Sequence, residues 1–144
     1  MVDRALLAAK LAELADRAQR AQRRCPASVD DLRADRDALD LVSFNLMLAV
    51  QTCADIASHL IADEGWAAAP TLAASFNRLR DEGVITTATA ASLARAAGLR
   101  NIVAHGYAGI NPAMVHAAAT TGARDLEAFA QEVAAWAAAK GGGA

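Results

Sequence analysis

Gly98 to Tyr107, GLRNIVAHGY, gathers an arginine, an asparagine, a histidine and the chain's only tyrosine at one helix end. An imidazole with an unperturbed pKa of about 6.5 exchanges protons near neutral pH, which suits general acid/base work. A guanidinium offers paired N–H donors to an oxyanion and stabilises charge developing on it. Arg100 and His105 are five residues apart, about 140° around a regular helix, so they do not stack as i,i+4 neighbours. They can still converge across a cleft where the helix ends. Asn101 stands four residues before His105 on one face, placed to orient the imidazole through a side-chain hydrogen bond or to help hold a ligand. Spacing alone leaves a plainer alternative open. A histidine in the last turn of a helix is favoured by the helix dipole, and a nearby arginine can pair with a carboxylate of the next helix.

Asp55 and His59 form a second polar group, four residues apart, with Gln51 four residues earlier, making a ridge on one face of a long helix. The ridge reads either as an interhelical hydrogen-bond network or as a supporting wall of a catalytic cleft. It lacks the further ligands a metal would need, and no metal site or cofactor is expected. His116 reads as structural or exposed. Trp66 and Trp136 read as core or interface anchors, each standing in an Ala-rich stretch without a second aromatic nearby. No Gly-rich phosphate loop, paired CxxC or HExxH motif occurs, so most common enzyme classes lose their signature.

The elements that must position these residues are helices. Leu7, Leu11, Leu14 and Ala18 give the first helix, about Asp3 to Arg24, an apolar stripe, and Cys25-Pro26 stops it. Ser28 or Asp30 can cap the start of the second. Leu39, Val42, Leu46, Ala49, Cys53, Ile56 and Leu60 recur at alternating three- and four-residue steps, the seam of a central helix predicted over roughly Leu32 to Ala62, about 45 Å long. Glu64-Gly65 ends it. Thr71 is a plausible N-cap for a short helix closed at Gly83, and Thr86 or Thr87 opens the helix that carries Leu93, Ala96, Ala97, Leu99, Ile102 and Val103 to His105-Gly106. A last helical region, Pro112 to Lys140, is predicted with a break at Thr121-Gly122. The expected architecture is an all-α, up-and-down four-helix bundle with an additional C-terminal helix, one domain over residues 1–140 followed by a flexible tail at 141–144.

Composition agrees. Apolar residues make up 55% of the 144 but aromatics only 4%, and the excess is Ala and Leu, good helix formers. A net charge of −2 does not advertise nucleic-acid binding over the whole surface, so any such site must be local. The basic cluster Arg17, Arg20, Arg23 and Arg24 ends the first helix. It reads first as a solvated, dipole-favoured helix end, with an RNA contact as the alternative. Uninterrupted apolar stretches fall short of the roughly 18 residues of a membrane span, and Lys10 and Glu13 break the N-terminal ALLAAKLAELA. Cys25 and Cys53 match no paired spacing. A cytoplasmic protein without membrane attachment is expected.

Arg100-Asn101-Ile102-Val103-Ala104-His105 matches the R-x4-H motif of HEPN ribonucleases, and Gly106-Tyr107 extends it to the R-x4-H-x-Y form that resembles the HepT group. QTCADIASHLIADEG, from Gln51 to Gly65, resembles that group's second helix, and TLAASFNRLRDEGVI its third. The resemblance spans much of Leu39 to Tyr107, roughly half of the chain. It implies a metal-independent endoribonuclease toxin with Arg100 and His105 as catalytic residues, beside which Asn101, Asp55 and His59 are, from their spacing, the candidate supporting residues. It also implies a homodimer that pairs two motifs across a two-fold interface, and a minimal nucleotidyltransferase antitoxin that transfers AMP to Tyr107. The chemistry is coherent. RNA supplies its own nucleophile in the 2′-hydroxyl, so the protein need only move protons and stabilise charge, and DNA cannot follow this route. The alternatives are a non-catalytic HEPN bundle that binds a nucleotidyltransferase or a nucleotide, and a purely structural helical module, which would leave the GLRNIVAHGY cluster without a role.

Overall fold

The computed structural model describes residues 3–105 and 110–142, with backbone alone at 102–105 and 142. Among these residues there are six helices and no strand: α1 Arg4–Arg24, α2 Val29–Ala34, α3 Arg36–Asp63, α4 Leu72–Asp81, α5 Thr87–His105 and α6 Pro112–Gly142. Asp3 caps α1, its carboxylate accepting from the Leu6 amide at 3.0 Å, and Thr71 caps α4 in the same way through the Ala74 amide. Gly83, at φ +78°, takes the left-handed conformation just past the end of α4.

The four long helices form the up-and-down bundle. The Asp3 amide donates to Asp63 at 3.2 Å, joining the start of α1 to the end of α3, so these two run antiparallel. His116 lies 3.0 Å from the Pro26 carbonyl and Lys140 pairs with Glu64 at 2.6 Å, which sets α6 parallel to α3. α5 descends between them. The helix at the C-terminus is therefore one of the four, and the additional elements are the short α2 and α4. α3 is the core helix: its seam Val42, Leu46, Ala49, Cys53, Ile56 and Leu60 is almost wholly buried. By length and composition α3 could cross a membrane, but 61% of its most apolar window is covered by the other helices.

Three expectations need correction. The stretch from Leu32 to Ala62 is not one helix. Asp35 closes α2 with its backbone amide and opens α3 with its carboxylate, which accepts from the Ala38 amide at 3.1 Å. The break at Thr121-Gly122 is absent. A glycine in a helix interior costs only about 1 kcal/mol, and the buried stripe Ala119, Ala123, Leu126, Phe129 and Val133 runs straight past it. Thr120 returns its hydroxyl to the His116 carbonyl at 2.8 Å instead of leaving the helix. Finally, α6 takes in Gly141 and Gly142, which the sequence places in the tail. The Arg4 guanidinium occupies the space a Cβ on Gly141 would fill, which puts a cation at the end of α6 where the dipole favours one.

Two aromatic contacts tie α6 down. Phe76 and Phe129, both fully buried, meet edge to face at 5.9 Å. Each contributes about 1.5–3 kcal/mol by burial, and the pairing a further ~1 kcal/mol. Trp66 and Trp136, solitary in sequence, are partners in space at 5.9 Å, with Lys140 4.8 Å over the Trp136 ring.

Candidate active site

α5 must be fixed in rotation before its last turns can aim anything, and both of its sides do this. At its start Thr86 accepts the Thr89 amide at 3.1 Å, while Glu132 of α6 accepts the Thr86 amide and the Thr89 hydroxyl, each at 2.7 Å. Along its length Ala90, Leu93, Ala97 and Leu99 are buried. The residue after Leu99 is thereby turned to the rim between α5 and α3, where Arg100 stands half-buried.

Arg100 Nη1 donates to Gln51 Oε1 at 2.8 Å, and Gln51 Nε2 donates onward to Asp55 Oδ1 at 3.0 Å. The other Asp55 oxygen is 3.5 Å from Lys10 Nζ of α1. A polar line thus crosses three helices. Its order matters, because the group touching the guanidinium is a neutral amide and the carboxylate is one residue removed. Arg100 keeps an uncompensated positive charge, and an exposed bond to an amide is readily exchanged for a charge-assisted pair with an anion. Among the described residues no carboxylate forms an ion pair with Arg100.

The fold brings Asp55 to Arg100 through Gln51, and sets Asn101, exposed, with its Oδ1 3.5 Å from Arg100 Nη2. It does not bring His59 there. His59 lies two turns beyond Gln51, about 12 Å along the helix, with Nε2 3.0 Å from Asp63. That ring and carboxylate are not well aligned for a hydrogen bond, and Asp63 also holds the Asp3 amide. His59 therefore belongs to the junction of α1 and α3. His105 contributes the last residue of α5, but its side chain, like the whole of Tyr107, lies outside the described residues. Gln51 is the residue that sequence reasoning undervalues. Its i,i+4 spacing to Asp55 is visible there, but its contact with Arg100, 49 positions away, is not. Lys10 carries no signal beyond interrupting an apolar run.

Other chemistry is poorly served. Burial pushes the Cys25 and Cys53 thiols above their ordinary value, away from the reactive thiolate. No three His, Cys, Asp or Glu side chains among the described residues cluster as metal ligands. A cleft of about 350 Å³ between α3, α5 and α6 has mainly apolar walls, including Leu46, Val50, Leu93 and Leu126. No histidine is among the described residues that line it.

An all-α up-and-down bundle that carries R-x4-H-x-Y from the end of α5 onward defines the HEPN class of protein. The sequence profile described as ribonuclease HepT-like matches residues 14–133. The chain belongs to the ribonuclease HepT-like family. Among solved structures it is similar to a tri-AMPylated HEPN toxin of Shewanella oneidensis in complex with an MNT antitoxin, at 26% identity and a TM-score of 0.83, over 94% of this chain and 99% of that one. A toxin–antitoxin complex with AMP-PNP matches at 25% identity and TM-score 0.83, over 90% and 97% of the two chains. YutE of Bacillus subtilis, a cytosolic protein of unknown function, shares the fold at 12% identity and TM-score 0.81, over 94% and 90%. Comparison with curated protein sequences gives no match.

Proposed function

We propose that the protein is a metal-independent endoribonuclease, the toxin of a toxin–antitoxin pair, acting in the cytoplasm. The observation that carries this reading is the placement of Arg100, held by the neutral amide of Gln51 at the rim from which α5 runs into the rest of the R-x4-H-x-Y motif. In the proposed reaction His105 takes the proton from a 2′-hydroxyl, whose oxygen attacks the adjacent phosphorus. Arg100 stabilises the charge that builds on the phosphoryl oxygens, the bond from phosphorus to the 5′-oxygen breaks, and that oxygen takes a proton from water while the His105 imidazolium returns its own to solvent. Gln51 and Asp55 position the guanidinium, and Asn101 flanks it. The test is cleavage of a mixed RNA substrate with and without EDTA. Cleavage should persist in chelator and leave 2′,3′-cyclic phosphate ends. Activity lost in EDTA and restored by a divalent metal would remove the mechanism.

The active form in this reading is a homodimer whose motifs face each other across a two-fold axis, so that each cleft draws on both chains. The outer face of α3 supports a contact of that kind. Phe44 is 50% exposed there, one and two turns before Leu48 and Gln51. Light scattering should give twice the chain mass at assay concentration, and a monomer that cleaves at full rate would exclude a composite site. The partner is a minimal nucleotidyltransferase that adds AMP to Tyr107. The named relatives support it: one is itself tri-AMPylated and bound to an MNT antitoxin, and another toxin–antitoxin complex holds AMP-PNP.

A further inference from the structure

The basic end of α1 is a built groove as well as a solvated helix terminus. Arg20, Arg23 and Arg24 line a concavity of about 550 Å³ together with Leu41 and Asn45 of α3. Its floor is held in place: Asn45 accepts from Arg17 Nη1 at 3.1 Å and donates its own amide to the Leu41 carbonyl at 2.8 Å. Arg20 is partly satisfied by Asp16 at 3.1 Å. Arg23 and Arg24 are exposed and form no ion pair among the described residues. In a chain of net charge −2, three guanidiniums gather over one hollow, two of them without an ion pair among the described residues, a concentration that α1 needs only weakly for its dipole.

The groove also lies on the same side of α3 as the candidate active site. Leu41, Phe44, Leu48, Gln51 and Asp55 succeed one another at three- and four-residue steps along the least buried face of that helix. Leu41 borders the groove and Gln51 holds Arg100, ten residues apart, or about 15 Å of helix. We propose that the Arg20–Arg23–Arg24 groove binds backbone phosphates of the RNA strand at a distance from the scissile one, anchoring the substrate whose reacting phosphodiester sits at Arg100. The inference rests on the ribonuclease reading and extends it from a cutting point to a path. It also explains how a net-acidic protein can retain a polyanion, since a few aligned cations suffice to release counterions along a single strand.

The test separates strand binding from cleavage. Fluorescence anisotropy would follow a noncleavable 2′-O-methyl oligoribonucleotide on wild type, on R23Q/R24Q and on R33Q/R124Q, which removes the same charge from exposed positions outside the groove. Loss of two phosphate contacts should weaken binding roughly tenfold at low salt and flatten the plot of log affinity against log salt by about 1.4. R33Q/R124Q should bind as wild type does. On cleavable RNA, R23Q/R24Q should raise KM for a long strand while leaving turnover of a dinucleotide unchanged. Equal binding by wild type and R23Q/R24Q, or an equal loss in R33Q/R124Q, would overturn the assignment. So would a defect confined to capture of the nucleotidyltransferase, which would make the groove a protein-docking surface. If wild type binds the strand through these arginines but cuts no RNA, the ribonuclease reading falls and the groove stands. Circular dichroism on both variants confirms that α1 is intact.

Discussion

His105→Ala protein is expected to fold as wild type does and to lose RNA cleavage by about two to four orders of magnitude, the range a positioned general acid or base contributes. The expectation rests on residue type and place. His105 is the last residue of α5, five positions after an arginine whose only side-chain partners among the described residues are neutral amides. The chain's two other histidines have structural contacts, His59 with Asp63 and His116 with the Pro26 carbonyl. Arg100→Ala should cost a similar two to three orders by removing stabilisation of the phosphoryl charge. Arg100→Lys should recover little, because an ammonium cannot present the planar fork. Initial rates on one defined oligoribonucleotide, with helicity checked in parallel, decide the matter. Near-full cleavage by well-folded His105→Ala would end the catalytic assignment.

The second large effect concerns regulation. Tyr107→Phe should leave the ribonuclease as active as wild type but refractory to its antitoxin. In the proposed transfer the Tyr107 phenol oxygen attacks the α-phosphate of ATP, a phosphorus–oxygen bond forms, pyrophosphate leaves, and the phenolic proton passes to solvent. The product places a bulky nucleotide and a phosphodiester charge two residues beyond His105, where an RNA phosphate would have to enter. Steric blockage and like-charge repulsion act in the same direction. Phenylalanine keeps the ring and removes only the acceptor oxygen, so a purely packing role for Tyr107 would be preserved in the variant. Wild type and Tyr107→Phe would be incubated with a minimal nucleotidyltransferase and ATP, assayed for cleavage, and mapped by mass spectrometry. AMP on another residue, or Tyr107→Phe silenced as readily as wild type, would overturn the switch.

Local signals carry most of the fold. Thr71, Thr86 and Gly83 punctuate the chain where side-chain chemistry and left-handed backbone demand it, and the buried seam of α3 is the seam its periodicity announces. The corrections fall where periodicity is blind. Leu32 and Leu39 are seven apart and both lie in register with the seam, so nothing in the apolar pattern marks the one-residue corner at Asp35. Only its capping carboxylate, with Asp37 in the first turn of α3, hints at a new start. At Gly122 the opposite holds: a local breaker looks decisive in the sequence although Ala119, Ala123 and Leu126 carry the buried stripe across it. The pairing of Trp66 with Trp136, like that of Gln51 with Arg100, joins distant positions on different elements, and one sequence contains no trace of it. The R-x4-H-x-Y motif, by contrast, is legible at once because its spacing is entirely local.

The amide at position 51 has a consequence for how the site stays available. A glutamate would reach the same guanidinium and bind it more strongly, but it would then behave as a tethered competitive inhibitor, present at high effective concentration and impossible to dilute away. Glutamine restrains Arg100 without occupying it, so the arginine arrives aimed but vacant, and the first anion to reach the rim displaces a weak neutral bond instead of an internal rival. Asp55, one helical turn along, steadies that glutamine while remaining too remote to take its place.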